Sequence, residues 1–211
     1  MRSVFLFGWI GCLVFCGCRS GGSQTQSQCN FFLNQSADFS KVGKIVVLEL
    51  DNQTTCADLS EVLTEGLADN LGKKHLFSVQ SVFRSEPAWQ SLNPEQLKDN
   101  NLQELARLQQ GFGVDAVVFG TITRHRMYPQ MMLGIRLKMV DVRDGRMLWA
   151  IEEVWDSTDK STELRMKRFF EKNMRTGYQP MDWQLLITSP RAFNKFVLFE
   201  ITETLPQSKV K

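Results

Sequence analysis

The chain of 211 residues is 43% hydrophobic and 23% charged, with 25 Lys and Arg against 23 Asp and Glu, which is the composition of a globular protein. A formal net charge of +2 argues against the concentrated positive charge of a typical nucleic-acid binder, so nucleic acid is not expected as a partner. The two histidines exclude a multi-histidine metal site, and neither a metal nor another cofactor is predicted.

The first 17 residues have the order of a secretory signal peptide. Arg2 supplies a positive charge, residues 4–15 form an apolar stretch, and polar residues begin at Arg19. The apolar stretch is shorter than the about 20 residues that a membrane-spanning helix needs. The sequence therefore predicts export and removal of residues 1–17.

The end of this segment reads Leu13-Val-Phe-Cys-Gly-Cys18 and resembles the lipobox of bacterial lipoproteins. The resemblance implies that Cys18 receives acyl chains such as palmitate, because the small residue Gly17 precedes it. An ordinary signal peptide with incidental cysteines is the alternative. In that family, a residue other than Asp after the cysteine favours the outer membrane, so Arg19 implies the periplasmic face of that membrane.

Residues 18–40 are predicted to be a flexible tether, since Ser, Gln, Gly and Asn predominate there. With Cys18 lipidated, Cys29 and Cys56 remain as an even pair in an oxidising compartment. Such a pair forms a disulfide or stays as two free thiols, and the sequence leaves both alternatives open.

An α/β domain is predicted over residues 41–205, followed by a tail at 206–211. Its first strand, 44–50, is a continuous apolar run that indicates burial on both faces. A helix begins at Asp58, with Glu61 as capping-box partner, and a second strand covers 77–82. A second helical region opens at Asn93-Pro94 and continues from Asn101 toward Gly111.

Three further strands complete the predicted sheet. Residues 114–123 form an apolar strand, and residues 132–142 and 146–155 form a hairpin around Asp144-Gly145, with Met147 and Trp149 on the buried side. A last helix begins at Ser189-Pro190. The order β-α-β-α-β-β-β predicts a single α/β sandwich, with a mixed sheet, helices packed on one face and a C-terminal helix.

Residues 114–123 (VDAVVFGTIT) and 137–149 (LKMVDVRDGRMLW) resemble a pattern of bacterial envelope lipoproteins. That group includes the curli secretion-channel component (CsgG-like) and the lipoprotein activators of penicillin-binding proteins (LpoB-like), and its fold is similar to the TolB amino-terminal domain. The resemblance covers residues 41–156. It implies a fold more than a function, because Asp115, Gly120, Asp141 and Gly145 fit turn and close-approach positions.

The C-terminal section, 157–205, contains a cluster of cations on a helix that is predicted to begin near Ser161. A solvated basic face explains this cluster, and a surface for anionic lipid head groups or an anionic polymer is the more specific interpretation. The cations of the predicted basic patch are Arg165, Lys167, Arg168, Lys172 and Arg175.

The residues do not suggest an enzyme. His75 and His125 both lie next to cations and have no adjacent carboxylate to orient an imidazole. The chain also lacks a phosphate-binding loop, a Cys-x-x-Cys pair and a Gly-x-Ser-x-Gly motif.

Two functions remain. In the first, a lipid-anchored adaptor binds a protein partner in envelope assembly or secretion. In the second, the chain forms homo-oligomers as a subunit of a curli-type secretion channel. A channel subunit needs inserted membrane hairpins of about 9 to 11 residues per strand. Segments 84–101 and 157–188 show loop and helix patterns instead, which favours the adaptor.

Overall fold

The computed structural model describes residues 29–92, 97, 101–174 and 182–207. The predicted signal peptide, Cys18, the helix start at Pro94 and Arg175 lie outside these residues. The described strands are β1 (Phe31–Leu33), β2 (Lys44–Leu48), β3 (Asp51–Asn52), β4 (Ser78–Val82), β5 (Ala116–Arg126), β6 (Met132–Asp141) and β7 (Met147–Asp156). The described helices are α1 (Leu59–Lys73), α2 (Pro87–Gln90), α3 (Leu102–Phe112), α4 (Lys160–Asn173), α5 (Leu185–Thr188) and α6 (Pro190–Glu203).

The strands form one mixed sheet in the order β1-β7-β6-β5-β2-β4, with β3 paired to β5 beside this path. Strands β2, β3, β4 and β5 pair in parallel, whereas β5, β6, β7 and β1 pair antiparallel. Helical crossovers connect the parallel strands β2, β4 and β5, and hairpins connect β5 to β6 and β6 to β7. The predicted α/β sandwich with a mixed sheet and a C-terminal helix is confirmed.

The main core lies between one face of the sheet and helices α1, α4 and α6. Trp149 on β7 is fully buried in it, and its indole Nε1 donates a hydrogen bond to the Thr204 hydroxyl at 2.8 Å, just beyond the end of α6. This bond satisfies the polar group of a buried indole and ties the C-terminal end of α6 to the sheet. The prediction that Trp149 anchors the core is confirmed.

A smaller core covers part of the opposite face. Leu105 and Leu108 of α3 pack there with Val46 and Leu48 of β2, while Ile45 and Val47 of β2 belong to the main core. Strand β2 is therefore buried on both faces, as its continuous apolar run predicted. Helices accordingly lie on both faces, with the larger group on the face of the main core.

The N-terminal part of the described chain is more ordered than predicted. Phe31–Leu33 pairs antiparallel with residues 149–151 of β7, and a 3₁₀ turn covers Phe39–Lys41. The prediction of a flexible tether is therefore wrong for these residues. The sequence did not reveal this strand, because three residues are too few to show alternation and polar residues follow them at 34–36.

The turn residues have the predicted structural roles. The Asp115 carboxylate accepts hydrogen bonds from the backbone N–H groups of Gly43 and Lys44, at 2.8 and 3.1 Å. Gly145 has φ of 70° in the β6–β7 hairpin. A Cβ at Gly120 would lie 2.1 Å from the carbonyl oxygen of Arg136, so a close backbone approach requires this glycine.

The helices α1, α3 and α6 begin where the sequence predicted, but not every predicted N-cap hydrogen bond forms. Helix α1 begins after Asp58, yet that side chain makes no cap hydrogen bond, so the predicted capping box with Glu61 is wrong. Asn101 and Ser189 do cap α3 and α6, by accepting from the backbone N–H groups of Gln103 and Ala192.

Within the residues that the structure describes, each helix is too short or too polar to cross a bilayer. Segments 84–101 and 157–188 are the places where a channel subunit would need membrane hairpins. In their described parts they contain the helices α2, α4 and α5.

Candidate functional site

The predicted basic patch is not one surface. Arg165 is only 7% exposed and is paired inside the protein, which corrects its assignment to the patch. Lys167 pairs with Glu163 at 2.5 Å and lies 4.5 Å from the centre of the Trp183 ring. Arg168 and Lys172 are exposed, and Arg175 is outside the described residues. Arg168 and Lys172 have no ion pair among the described residues, and two such cations are too few to define an anion-binding face.

Arg165 instead forms the centre of a buried ionic cluster. Its Nη1 donates to Glu200 Oε2 at 2.7 Å, and its Nη2 lies 3.9 Å from Glu153 Oε1. Cys29 Sγ is 3.2 Å from Arg165 Nη1 and 3.7 Å from Glu200 Oε2. The cluster thus connects the first described residue to β7, α4 and α6.

Burial controls the protonation of this cluster. It raises the pKa of the Cys29 thiol to about 12, with the neighbouring Glu200 adding to the effect. Burial also raises the pKa of Glu200, although Arg165 opposes that shift. Cys29 is therefore a protonated, unreactive thiol at neutral pH.

Cys29 and Cys56 are free thiols in the structure, which is the second of the two alternatives that the sequence left open. Cys29 is enclosed by the ionic cluster, whereas Cys56 is partly exposed on the loop before α1. The two thiols therefore have different surroundings, and Cys56 lines a groove between helices α1 and α6.

The candidate site is a groove of about 630 Å³ between helices α1 and α6, here called the α1/α6 groove. One wall consists of α1 residues spaced three or four apart, and the other of α6 residues with the same spacing. Cys56, on the loop before α1, and Met127, which follows β5, also line the groove. The lining residues used below are Leu59, Val62, Glu65, Gly66, Asp69, Met127, Arg191, Lys195 and Leu198.

Gly66 sets the depth of the groove. A Cβ at this position would lie 2.6 Å from Leu198 Cδ1, so the missing side chain lets α1 and α6 approach closely. The groove floor is therefore made by buried Leu59 and Leu198, while Val62 remains 54% exposed on the rim. A half-exposed Val beside a leucine floor is the kind of apolar surface that interaction sites leave uncovered.

Opposite charges line the two rims. Exposed Glu65 and Asp69 stand on α1, and exposed Arg191 and Lys195 stand on α6. Among the described residues, no ion pair joins these four side chains to each other or to other groups. The rims are thus available to bind charges of a partner.

The hairpin between β5 and β6 extends the groove. Met127 lies in the groove lining, and the next residue, Tyr128, is 87% exposed and joined to Pro129 by a cis peptide bond. An exposed Tyr offers a large contact area with a hydrogen-bonding tip, which is typical of protein interfaces. Sequence reasoning missed this site, because its residues come from three distant segments.

A second exposed region lies on the sheet face opposite the main core. It is here called the open face. The register places Phe32, Ala150 and Lys138 in one row across β1, β7 and β6, and Arg136 opposite Glu152 in the next. Met147 and Val154 lie on the same face and are also exposed.

Met147 reaches the open face because of a register shift. Met139 pairs with Trp149 but Val140 pairs with Met147, so Leu148 is an extra residue in β7. The prediction that Met147 shares the buried side of Trp149 is therefore wrong.

Neither region offers a metal site. In the described part of the chain, the side chains of His, Cys, Asp and Glu form no group of three or more that could hold a metal ion. His125 is partly buried, and this burial lowers its pKa.

No protein-family model matches the chain, and comparison with curated proteins also finds no match. Solved structures with similar folds include the PelC dodecamer from Paraburkholderia phytofirmans, at 13% identity and a TM-score of 0.44, covering 64% of this chain and 86% of that one. Lipoprotein GNA1162 from Neisseria meningitidis is 20% identical, with a TM-score of 0.39 and coverage of 58% and 89%. The LpoB C-terminal domain from Escherichia coli is 14% identical, with a TM-score of 0.37 and coverage of 57% and 87%.

Proposed function

We propose that this chain is a lipid-anchored adaptor on the periplasmic face of a bacterial outer membrane, where the α1/α6 groove binds a protein partner in envelope assembly or secretion. The adaptor has no catalysis of its own. The observation that carries this proposal is the groove itself, an apolar floor between two helices whose charged rims have no partners among the described residues.

The anchor is supported by the order of the N-terminal residues. A short apolar stretch follows Arg2 and ends at Gly17-Cys18, which resembles a lipobox. One acyl chain holds a protein on a bilayer only marginally, whereas two or more hold it stably. Lipidation of Cys18 would therefore keep the groove near the membrane permanently.

The groove fits an amphipathic helix as its ligand. A helix in a groove presents apolar side chains at positions i, i+3, i+4 and i+7 to an apolar floor. Here that stripe would contact Leu59, Val62 and Leu198. Cations on one flank of the partner helix would face Glu65 and Asp69, and anions on the other flank would face the rim of α6.

Site-specific photo-crosslinking in intact cells tests this proposal. A photo-reactive amino acid replaces Val62 in the groove, and the matched control places it at Leu164 of α4. These side chains are 54% and 53% exposed, so their access to solvent is equal. We expect an adduct of defined mass from position 62 and none of that mass from position 164.

Two further results make the experiment decisive. Lys195→Glu should weaken the adduct from position 62, because it reverses the charge of one rim. The crosslinked partner peptide should lie in an amphipathic helical segment. Equal adducts from positions 62 and 164, or an adduct that does not respond to Lys195→Glu, would contradict the groove as the docking site.

A further inference from the structure

The open face has the composition of a surface that contacts a lipid bilayer. Its apolar side chains Phe32, Met147 and Val154 are exposed, with Phe32 at 50%, and they surround the cations Arg136 and Lys138. Arg136 is neutralised by Glu152 at 2.6 Å, and half-buried Lys138 is the one cation of this face without an ion pair among the described residues. The exposed apolar side chains therefore carry the argument, because such side chains enter the interface between head groups and acyl chains.

The position of this face in the chain points to the same ligand. β1, which carries Phe32, begins two residues after Cys29. The chain between Cys18 and Cys29 spans at most about 40 Å when fully extended. The ionic cluster of Cys29 with Arg165 and Glu200 fixes the end of that segment to the folded domain. An acyl group on Cys18 would therefore keep Cys29, and β1 beside it, within about 40 Å of the bilayer.

We propose that the open face, centred on Phe32, lies against the bilayer that holds the acyl chains of Cys18. This inference rests on the lipid anchor of the proposed function and adds an orientation to it. Contact through Phe32, Met147 and Val154 sets the sheet between the membrane and helices α1, α4 and α6.

The orientation has a direct consequence for the groove. Helices α1 and α6 pack on the opposite face of the sheet, in the main core. The groove therefore faces away from the membrane and remains open to a partner.

Fluorescent labelling of the lipidated protein tests the inference. Phe32→Cys, Val154→Cys and, as the control on the far side of the sheet, Leu164→Cys on α4 are made separately in a Cys56→Ser background and labelled with NBD at neutral pH. Cys29 stays unlabelled, because it is buried and its pKa is raised to about 12. Each protein is reconstituted by its own acyl chains in phosphatidylcholine–phosphatidylglycerol vesicles, and the acyl group is verified by intact mass.

We expect doxyl-labelled lipids to quench NBD at positions 32 and 154 several times more than at position 164, and aqueous iodide to show the reverse order. Two positions are used because either substitution alone could disturb the strand that carries it. Acylated protein in which position 32 is quenched no more than position 164 would overturn the orientation and leave the anchor standing. Protection of position 32 from both quenchers would also overturn it, because a second copy or a protein partner would then cover the open face. Protein without an acyl group would refute the anchor and the orientation together.

Discussion

Replacing Arg165 with methionine should lower the free energy of unfolding strongly, because it leaves the carboxylate of Glu200 buried without its partner. The side chains of Arg165 and Glu200 are only 7% and 12% exposed and lie 2.7 Å apart. Removing one member of such a pair costs about 3–5 kcal/mol. We expect the lower end, about 3 kcal/mol, because Glu200 can take up a proton once the cation is gone.

Urea denaturation measures this change, with Lys172→Met as the matched control. Lys172 is exposed on the same helix, so its replacement should change the unfolding free energy by less than about 0.5 kcal/mol. The double variant Arg165→Met with Glu200→Leu should lose about 0.5–3 kcal/mol less than the sum of its single variants. Equal losses for Arg165→Met and Lys172→Met would refute the reasoning, since both residues would then belong to one solvated basic face.

Three other variants or treatments test separate parts of the structure. Gly120→Ala should lower the free energy of unfolding in urea by more than about 1 kcal/mol, because its Cβ would lie 2.1 Å from a backbone oxygen. Gly72→Ala in helix α1 has open space around its Cβ and should raise that free energy by about 0.5–1 kcal/mol. Similar effects of the two variants would contradict the close backbone approach at Gly120. In the unreduced mature protein at pH 8, a thiol reagent should modify Cys56 but reach Cys29 only after unfolding, since the pKa of Cys29 is about 12; no thiol after unfolding would mean a disulfide. Cys18→Ser should abolish incorporation of a clickable fatty acid, and label that persists would place the lipid on another residue.

The fold was predictable where local patterns and tertiary structure agree. The continuous apolar run of β2 correctly predicted burial on both faces of that strand. Asp144-Gly145 correctly predicted the β6–β7 hairpin, in which Gly145 has the positive φ that such a turn needs. The short edge strand β1 could not be predicted, because three residues cannot show a period and its stability comes from pairing with β7.

The sites depended on contacts that sequence spacing does not reveal. In the sequence, Arg165 looks like the other cations of a basic helix. Its burial becomes evident only from its contacts with Glu200 and Cys29 in the folded chain. The α1/α6 groove likewise joins α1 to a helix more than 100 residues away, through the missing side chain of Gly66. The sequence signal that could have indicated the groove is Val62. It belongs to an apolar stripe of α1 that is wider than the core can cover, so Val62 remains exposed.

The most direct test of the adaptor account is the intact mass and N-terminal sequence of the protein isolated from envelope membranes. The account predicts a chain that begins at Cys18 and carries the added mass of at least two acyl chains. An unmodified chain that begins at any other residue would contradict it.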